Sequence, residues 1–375
     1  MDLMTITACG ECCVGCKKKE EGICKGCIET DGYCQDCIKN RKKRRCDMES
    51  EVLNRICAEY NLGDLQCKPI RLTGGFMHKM YSLFTTRGKY AVKLLNPYVM
   101  QRETAMGNFR TAEALEKRLE EKQLPIVPAI TLNGNKMQCI DGQYFYLYEW
   151  YDGKVLKSEE ITEWHCKKIG GLLATIHGLD KRNSGYERDE LRIDWDGYIE
   201  KLSEKNMELH VLLKEHRKVL YESQEKGNEA IKRLSTVTAI CHNDMDSKNV
   251  LWHGENFRVI DLECLSYASP MMELYEMALC WSGYEACNID FRLFRCFIRA
   301  YAEQGGTLPT DWESIYYSNN GRLEWLEYNV KRALGIECAE EEVEMGAAQV
   351  KETMEHVIYY HAAKKDILEC LESMK

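Results

Sequence analysis

The sequence predicts an α+β protein in three parts, and changes in composition along the chain indicate where these parts meet. Residues 1–47 are rich in cysteine and end in a basic run. Residues 48–150 alternate short strand-like and helical patterns, whereas residues 151–375 are mostly helical. We therefore expect a small β-rich lobe followed by a larger helical lobe. A chain of 375 residues is long enough to bury a sizeable core.

The overall composition is that of an ordinary globular protein, with 45% hydrophobic and 30% charged residues. The net charge of −9 disfavours a general nucleic-acid binder, which must neutralise phosphates, and it suits a cationic substrate better. No apolar run is long enough to predict a transmembrane helix. The first residues lack the pattern of a signal peptide, and the later cysteines are scattered like buried thiols, so a cytoplasmic location is expected.

The N-terminal segment predicts a metal-binding module. It contains four C-x-x-C pairs, a spacing at which two thiolates can chelate one ion, and bound metal would supply folding energy to so short a segment. Zinc is favoured over an iron–sulfur cluster and over a disulfide knot. The string ACGECCVGC also resembles the start of a small bacterial Cys-rich domain of unknown function, with Cys12 as an extra residue. The predicted ligands are Cys9, Cys13, Cys16, Cys24, Cys27, Cys34, Cys37 and Cys46.

The basic run RKKRRC, which ends this segment, has two interpretations. It could contact phosphates or RNA, as lysine and arginine clusters do in nucleic-acid-binding proteins. A charged linker to the next domain is the favoured interpretation.

The β-rich lobe begins with PIRLTGGFMHKMYSLFTTRGKYAVKLLN, which predicts a strand, a glycine turn, and a hairpin of two further strands. Gly74 and Gly75 allow backbone N–H groups to approach phosphates closely. Lys93 stands inside an apolar strand, where an ammonium group is costly unless it is paired. A helix that ends before Pro125 is expected to follow.

The junction between the lobes is predicted to be an aromatic strand in QYFYLYEWYDG, which ends at the turn signal Asp152–Gly153. Ser158 is then expected to cap a helix. The apolar residues from Ile161 to Ile176, Trp164 among them, recur at helical spacing and predict one buried face.

The stretch AICHNDMDSKNVLWHGENFRVIDLE carries the chemistry. VLW and FRVI are short apolar strands around a Gly254 turn, so a hairpin should bring Asn249 and Asp261 together. Amide and carboxylate oxygens are ligands that Mg²⁺ prefers. Asp244 lies five residues before Asn249 and could orient a hydroxyl and accept its proton, while His242 could hold this loop in place.

The same stretch resembles the aminoglycoside phosphotransferase and choline kinase superfamily, which carries H-G-D-L-x-x-x-N and a later I-D-x-E. Here Asn243 replaces the glycine and Met245 replaces the leucine. The resemblance covers roughly residues 50–300. It implies a bilobal protein-kinase-like fold, Mg²⁺, and ATP or GTP between the lobes.

The resemblance also implies roles for residues outside this stretch. Lys93 would contact the nucleotide phosphates and pair with a glutamate, for which Glu113 is preferred to Glu103. Glu276 or Glu273 would hold the catalytic loop, and His177 would be structural. The nucleobase would bind backbone groups of Glu149, Trp150 and Tyr151.

These observations predict a small-molecule kinase that phosphorylates a hydroxyl of an aminoglycoside, an aminoalcohol or a sugar-like acceptor. The alternative is a non-catalytic nucleotide-binding regulator, in which the Cys-rich module recruits a protein or RNA partner. The presence of Asp244, Asn249 and Asp261 favours the enzyme.

Overall fold

The computed structural model describes residues 49–72, 77–183 and 189–374. The chain divides into two compact units. The first contains the residues up to 95 together with 129–150, and the second contains 96–128 together with the residues from 151 onward. The segment 96–128, which the sequence analysis grouped with the β-rich lobe, thus belongs to the helical unit. The predicted Cys-rich module lies outside the described residues.

In its described residues, the first unit is an antiparallel sheet with the helix α1 over residues 49–59. The strand order is β1-β2-β3-β5-β4. The centre of the sheet is apolar: Val92, Phe145 and Leu147 are buried with Leu53 of α1. The strands are β1 (Ile70–Arg71), β2 (Lys79–Phe84), β3 (Lys89–Leu94), β4 (Gln138–Ile140) and β5 (Gln143–Glu149). The strands predicted in this region are therefore present.

The second unit is mainly helical. Its helices are α2 (Pro97–Met100), α3 (Ala105–Glu121), α4 (Glu163–Gly178), α5 (Trp195–Lys205), α6 (Met207–Glu215), α7 (Arg217–Ile231), α8 (Pro270–Cys280), α9 (Phe291–Glu303), α10 (Trp312–Ser318), α11 (Gly321–Ala333), α12 (Val343–Ala362) and α13 (Lys364–Glu372). Its strands are β6 (Lys181–Asn183), β7 (Val237–Cys241), β8 (Val250–His253), β9 (Asn256–Val259) and β10 (Ser266–Ala268). A three-stranded sheet has the order β10-β7-β6, and β8 and β9 form a separate hairpin.

The core of the second unit is built on the contact between α4 and α9. Gly170 of α4 permits their close approach, because a Cβ atom at this position would lie 2.6 Å from the carbonyl oxygen of Phe297. Leu173, Ile176 and Phe297 are fully buried along this contact. The two helices thus form a rigid base for the adjoining sheet.

The start of α4 differs from the prediction. Ser158–Glu160 forms a separate 3₁₀ turn, closed by a 2.9 Å bond from the Lys157 backbone N–H to the Glu160 carboxylate. The α-helix begins after Thr162, whose backbone N–H bonds the His165 Nδ1 atom. Trp164 is 37% exposed rather than part of the buried face. The local bond to Glu160 accounts for the early turn, because it gives the backbone an alternative to the helix.

The β8–β9 hairpin is held on both edges. Trp252 of β8 exchanges two backbone bonds with Lys154, at 2.8 and 2.9 Å. On the other edge, the Val127 N–H donates to the Val259 carbonyl at 2.8 Å. These bonds fix the hairpin, and with it the two loops that begin and end it. In the part of the chain that the structure describes, every helix is too short or too polar to cross a membrane.

Candidate functional site

The loop from β7 to β8 places Asp244 against Asn249. The Asn249 amide nitrogen donates to the backbone carbonyl of Asp244 and to its carboxylate Oδ2, each at 2.8 Å. Asn249 is only 5% exposed, so its amide has a fixed orientation. Because both bonds use the nitrogen, the amide oxygen is the atom that can bind a cation. The predicted contact between these two residues is present.

Asp261 follows β9 and lies beside Asn249. The hairpin pairs Val250 with Val259, and the Ile260 N–H donates to the Asn249 carbonyl at 2.9 Å. This register brings the ends of the two strands together, as their sequence predicts. An Asn oxygen and an Asp carboxylate on adjacent strand ends form a donor set of the kind that suits Mg²⁺. The residues present therefore fit a magnesium ion.

The Asp244 carboxylate is partly enclosed and carries a raised pKa. Burial raises its pKa, the Lys248 ammonium partly opposes this, and the Asp261 carboxylate adds to it, for a pKa of about 6. The side chain still has 37% of its surface accessible, so one face remains open to a reactant. A carboxylate of this kind is ionised at neutral pH and is a stronger base than a free aspartate.

Lys248 is shared between two carboxylates. Its Nζ atom lies 3.2 Å from Asp244 Oδ1 and 2.7 Å from Asp246 Oδ2. Asp246 also accepts the Lys248 backbone N–H, which closes the 3₁₀ turn before β8. Burial raises the pKa of Asp246 to about 6 as well. The sequence alone favours solvated loop charges for Asp246 and Lys248, but in the structure they set the charge around Asp244.

His242 is fully buried and links the loop before the β8–β9 hairpin to the loop after it. Its Nε2 atom bonds the Ile260 carbonyl at 3.1 Å, and its Nδ1 atom accepts the Asp244 N–H at 3.3 Å. Burial lowers the pKa of the imidazole, which is therefore neutral at pH 7. A neutral ring has one donor and one acceptor, so these bonds require the proton on Nε2. His242 is placed to orient the loop, since both its nitrogens bond backbone atoms.

A second group of buried residues holds the loop from behind. Glu273 of α8 is 4% exposed and accepts the Asn243 backbone N–H at 2.6 Å. Its other oxygen bonds His177 Nε2 at 2.7 Å, and His177 Nδ1 bonds the Tyr301 hydroxyl at 2.9 Å. Burial tends to raise the pKa of Glu273, but the bonds from His177 and the nearby His242 more than offset this, so the pKa is lowered.

Of the two glutamates proposed for this role, Glu273 makes these contacts. Glu276 lies one turn further along α8 and is only partly buried. Tyr301 was not singled out from the sequence, and no local motif marks it. His177 proves to be part of the support of the loop, which agrees with the structural role expected for it.

The predicted nucleotide residues fall in both units. Lys93 on β3 is 5% exposed. Glu113 on α3 is partly buried, and Glu103 lies before that helix and is exposed. Glu116, one turn after Glu113, is 5% exposed and was missed by the sequence analysis, although its helical spacing from Glu113 was visible. Because Lys93 and these glutamates belong to different units, their pairing stays a prediction.

The predicted nucleobase segment follows β5. Glu149 ends the strand, and the Trp150 N–H donates to the Lys89 carbonyl at 3.1 Å. Trp150 also packs beside Phe84, with ring centroids 6.2 Å apart. Tyr151 begins the next stretch of the second unit and is partly buried. Gly74 and Gly75 lie outside the described residues.

Comparison with known proteins gives one family match. A model of the phosphotransferase enzyme family matches residues 69–315. No sequence among the curated proteins matches the chain.

Several solved structures share the fold. A spectinomycin phosphotransferase, in complex with ADP and spectinomycin, is 14% identical with a TM-score of 0.64, over 83% of this chain and 98% of that one. An amicoumacin kinase, in complex with AMP-PNP, Ca²⁺ and Ami, is 12% identical with a TM-score of 0.55, over 84% and 96% of the two chains. A choline kinase from Cryptosporidium parvum is 13% identical with a TM-score of 0.52, over 85% and 96%. The prediction of a kinase-like fold that mixes helices and strands is therefore confirmed.

Proposed function

The chain belongs to the phosphotransferase enzyme family, and from this premise we propose that it transfers the γ-phosphate of ATP or GTP to a small hydroxyl-bearing acceptor. It is a phosphotransferase that acts on an alcohol group, which leaves the non-catalytic alternative without support. The observation that carries the proposal is the pair of bonds from the Asn249 amide to Asp244. These bonds hold together the two side chains that would serve as base and metal ligand.

In this proposal Asp244 is the catalytic base. Its partly open carboxylate accepts a hydrogen bond from the acceptor hydroxyl and takes the proton as that oxygen attacks the γ-phosphorus. The bond from the γ-phosphorus to the bridging oxygen breaks, and the nucleoside diphosphate leaves. The catalysis consists mainly of positioning and charge neutralisation.

The Asn249 oxygen and the Asp261 carboxylate would hold Mg²⁺, which would neutralise charge on the nucleotide phosphates. Lys93 and the backbone of Gly74 and Gly75 would hold the phosphates, with Glu113 as the partner of the lysine. Backbone groups of the segment from Glu149 to Tyr151 would bind the base of the nucleotide. ADP and AMP-PNP in two of the similar structures support an adenine nucleotide.

For the acceptor we propose an aminoglycoside, an aminoalcohol or a sugar-like molecule. The names of the similar enzymes, which include a spectinomycin phosphotransferase and a choline kinase, support this range. The net charge of −9 favours its cationic members.

The test is ADP formation with a panel of such acceptors, for the parent chain and for Asp244→Asn. The asparagine keeps the shape of the side chain but cannot take the proton, so we expect turnover to fall about 10²- to 10⁴-fold while nucleotide binding is retained. Asp246→Asn is the matched control, because this carboxylate shares Lys248 with Asp244 but makes no bond to the Asn249 side chain. Its loss should lower the activity far less than the loss of the Asp244 carboxylate. Unchanged turnover in Asp244→Asn would contradict the assignment.

For the N-terminal segment we propose that the cysteines between Cys9 and Cys46 bind zinc. The four C-x-x-C pairs support this, since tetrahedral zinc sites use two such pairs each. Metal analysis of the reduced full chain should find zinc. A result with neither zinc nor iron would overturn the proposal.

A further inference from the structure

A cavity of about 150 Å³ lies in the helical unit, where α7, α10, α11, α12 and α13 meet. We call it the C-terminal cavity and define it by Lys226, Asn319, Arg322 and Lys364, which line it together with several tyrosines. None of these four residues is used in the proposed transfer reaction.

Two buried donors of this cavity have no hydrogen-bond partner in the described part of the chain. They are the Nη1 atom of Arg322 and the side-chain nitrogen of Asn319, a residue that is 7% exposed. Buried polar atoms are nearly always bonded, and each one that is not costs free energy. Because both residues line the same cavity, a ligand bound there is one source of the missing acceptors.

The guanidinium of Arg322 is held against two aromatic rings. Its Cζ atom lies 3.8 Å from the ring centroid of Tyr284 and 5.6 Å from that of Tyr360. Stacking on aromatic faces fixes the plane of the group. The fork of N–H donors is thereby oriented before a ligand arrives, which lowers the entropy that binding must overcome.

The remaining charge in the cavity is mainly positive. The Nζ atom of Lys364 donates to the Tyr317 hydroxyl and lies 4.5 Å from that ring, and Lys226 lies 5.5 Å from the same ring. His361 also lines the cavity, and the carboxylate present is that of Glu222, which is 3.7 Å from Lys218. The lining residues thus carry three permanent cations and one carboxylate, while the carboxylates of Glu276 and Glu285 lie close enough to Arg322 to interact with its charge.

The N-terminus of α11 adds a favourable dipole. The helix begins at Gly321, and the side chain of its N-cap residue, Asn320, makes no capping bond. Asn320, Arg322 and Leu323 of this first turn line the cavity. The positive end of a helix dipole stabilises an anion.

We propose that the C-terminal cavity binds the anionic group, a phosphate or a carboxylate, of a small molecule. The guanidinium fork and the Asn319 amide would donate to its oxygens, and the two lysines would complete the neutralisation. The volume suits one such group rather than a whole metabolite, so the rest of the molecule would extend out of the cavity.

The experiment is titration calorimetry of the full chain with orthophosphate, in the presence of saturating AMP-PNP and Mg²⁺ to fill the nucleotide site. We expect one saturable site. Arg322→Gln should weaken phosphate binding at least about tenfold, since it removes a charged double donor. Arg217→Gln is the charge-matched control, because Arg217 is half exposed, bonds Asp196 and does not line the cavity. This variant should bind phosphate as the parent does.

Asn319→Ala separates a binding role from a role in folding. The side-chain nitrogen has no hydrogen bond to lose, so without phosphate the melting temperature of the variant should equal or exceed that of the parent. Its phosphate affinity should still fall about fivefold to tenfold. Lower thermal stability with unchanged affinity would mean that the amide serves packing, and would overturn the proposal.

Succinate in place of orthophosphate distinguishes a carboxylate ligand from a phosphate ligand, and saturable binding of either one supports the proposal. Absence of saturable binding by both, or equal binding to the parent and to Arg322→Gln, would overturn it. The measurement needs no turnover, so its failure is distinguishable from failure of the proposed kinase activity.

Discussion

Replacement of Glu273 tests how the loop that carries Asp244 is held. In the native protein the Glu273 carboxylate accepts two short bonds, from the Asn243 N–H at 2.6 Å and from His177 at 2.7 Å. The His177 donor is buried with it, and the bond from Asn243 is partly buried. Hydrogen bonds to a charged group contribute about 1.5–3 kcal/mol each. Glu273→Ala leaves both donors without a partner and creates a small cavity, so we expect a loss of about 4 kcal/mol of unfolding free energy.

Glu273→Gln should lower the free energy of unfolding much less than Glu273→Ala. The amide oxygen can still accept the Asn243 N–H, and the amide nitrogen then faces His177. The imidazole can accept that bond if its proton moves to Nδ1, where the Tyr301 hydroxyl at 2.9 Å can act as the acceptor. Only the charge assistance is lost, which is about 1–2 kcal/mol.

Urea denaturation of the three proteins, followed by the intrinsic fluorescence of tryptophan, measures these differences. ADP formation should fall in both variants, by a larger factor in Glu273→Ala, with an unchanged KM for the nucleotide. Glu276→Ala, on the same helix, is the matched control and should lose less than half as much stability as Glu273→Ala. Equal losses for Gln and Ala at position 273, or a loss below about 1 kcal/mol for Ala, would refute the reasoning.

Three further results are expected. The pKa of Asp244 is about 6, so its carboxylate becomes protonated as the pH falls through this value, and below it kcat/KM should fall about tenfold per pH unit. Lys248→Met should shift this acid-side fall in kcat/KM to higher pH, because the ammonium group lowers the pKa of Asp244. Gly170→Ala should destabilise the protein by about 1–3 kcal/mol in a thermal melt, since the new methyl group meets a backbone carbonyl of α9, whereas Gly171→Ala, with open space around it, should be neutral or stabilising. Asp261→Asn should lose more than about tenfold in activity and need more Mg²⁺, with little change in stability, because asparagine tolerates the same backbone conformation.

The hairpin that carries Asn249 and Asp261 was predictable from the sequence. Two short apolar strands around Gly254 fix the register, and a register fixes which residues meet at the strand ends. The side chain of Asp244 could then be placed by its distance along the chain. Local patterns sufficed here because every contact is made within about twenty residues.

The residues that support the loop could not be predicted in the same way. Glu273 and Glu276 are three residues apart on one helix and have similar local surroundings in the sequence. Which of them is buried depends on α4 and α9, which bring His177 and Tyr301 to the same place from distant parts of the chain. Arg322 and Asn319 of the C-terminal cavity have no motif either, since the cavity arises only when five helices pack together.

One of the two departures from the family pattern in the loop has a structural reason. Asn243 stands where the pattern has glycine, and its φ is +65°, in the left-handed region that costs most side chains about 1–2 kcal/mol. Asparagine is among the residues that tolerate this region best. Its amide nitrogen also donates to the Cys264 carbonyl at 2.7 Å and to the Ser266 hydroxyl at 3.0 Å. Asp261 has a φ of +63°, so Asn243, two residues after β7, and Asp261, two residues after β9, share the left-handed backbone conformation. At Asn243 the side chain offsets the strain with bonds that glycine could not make, and these bonds join the loop of Asp244 to the segment that follows Asp261.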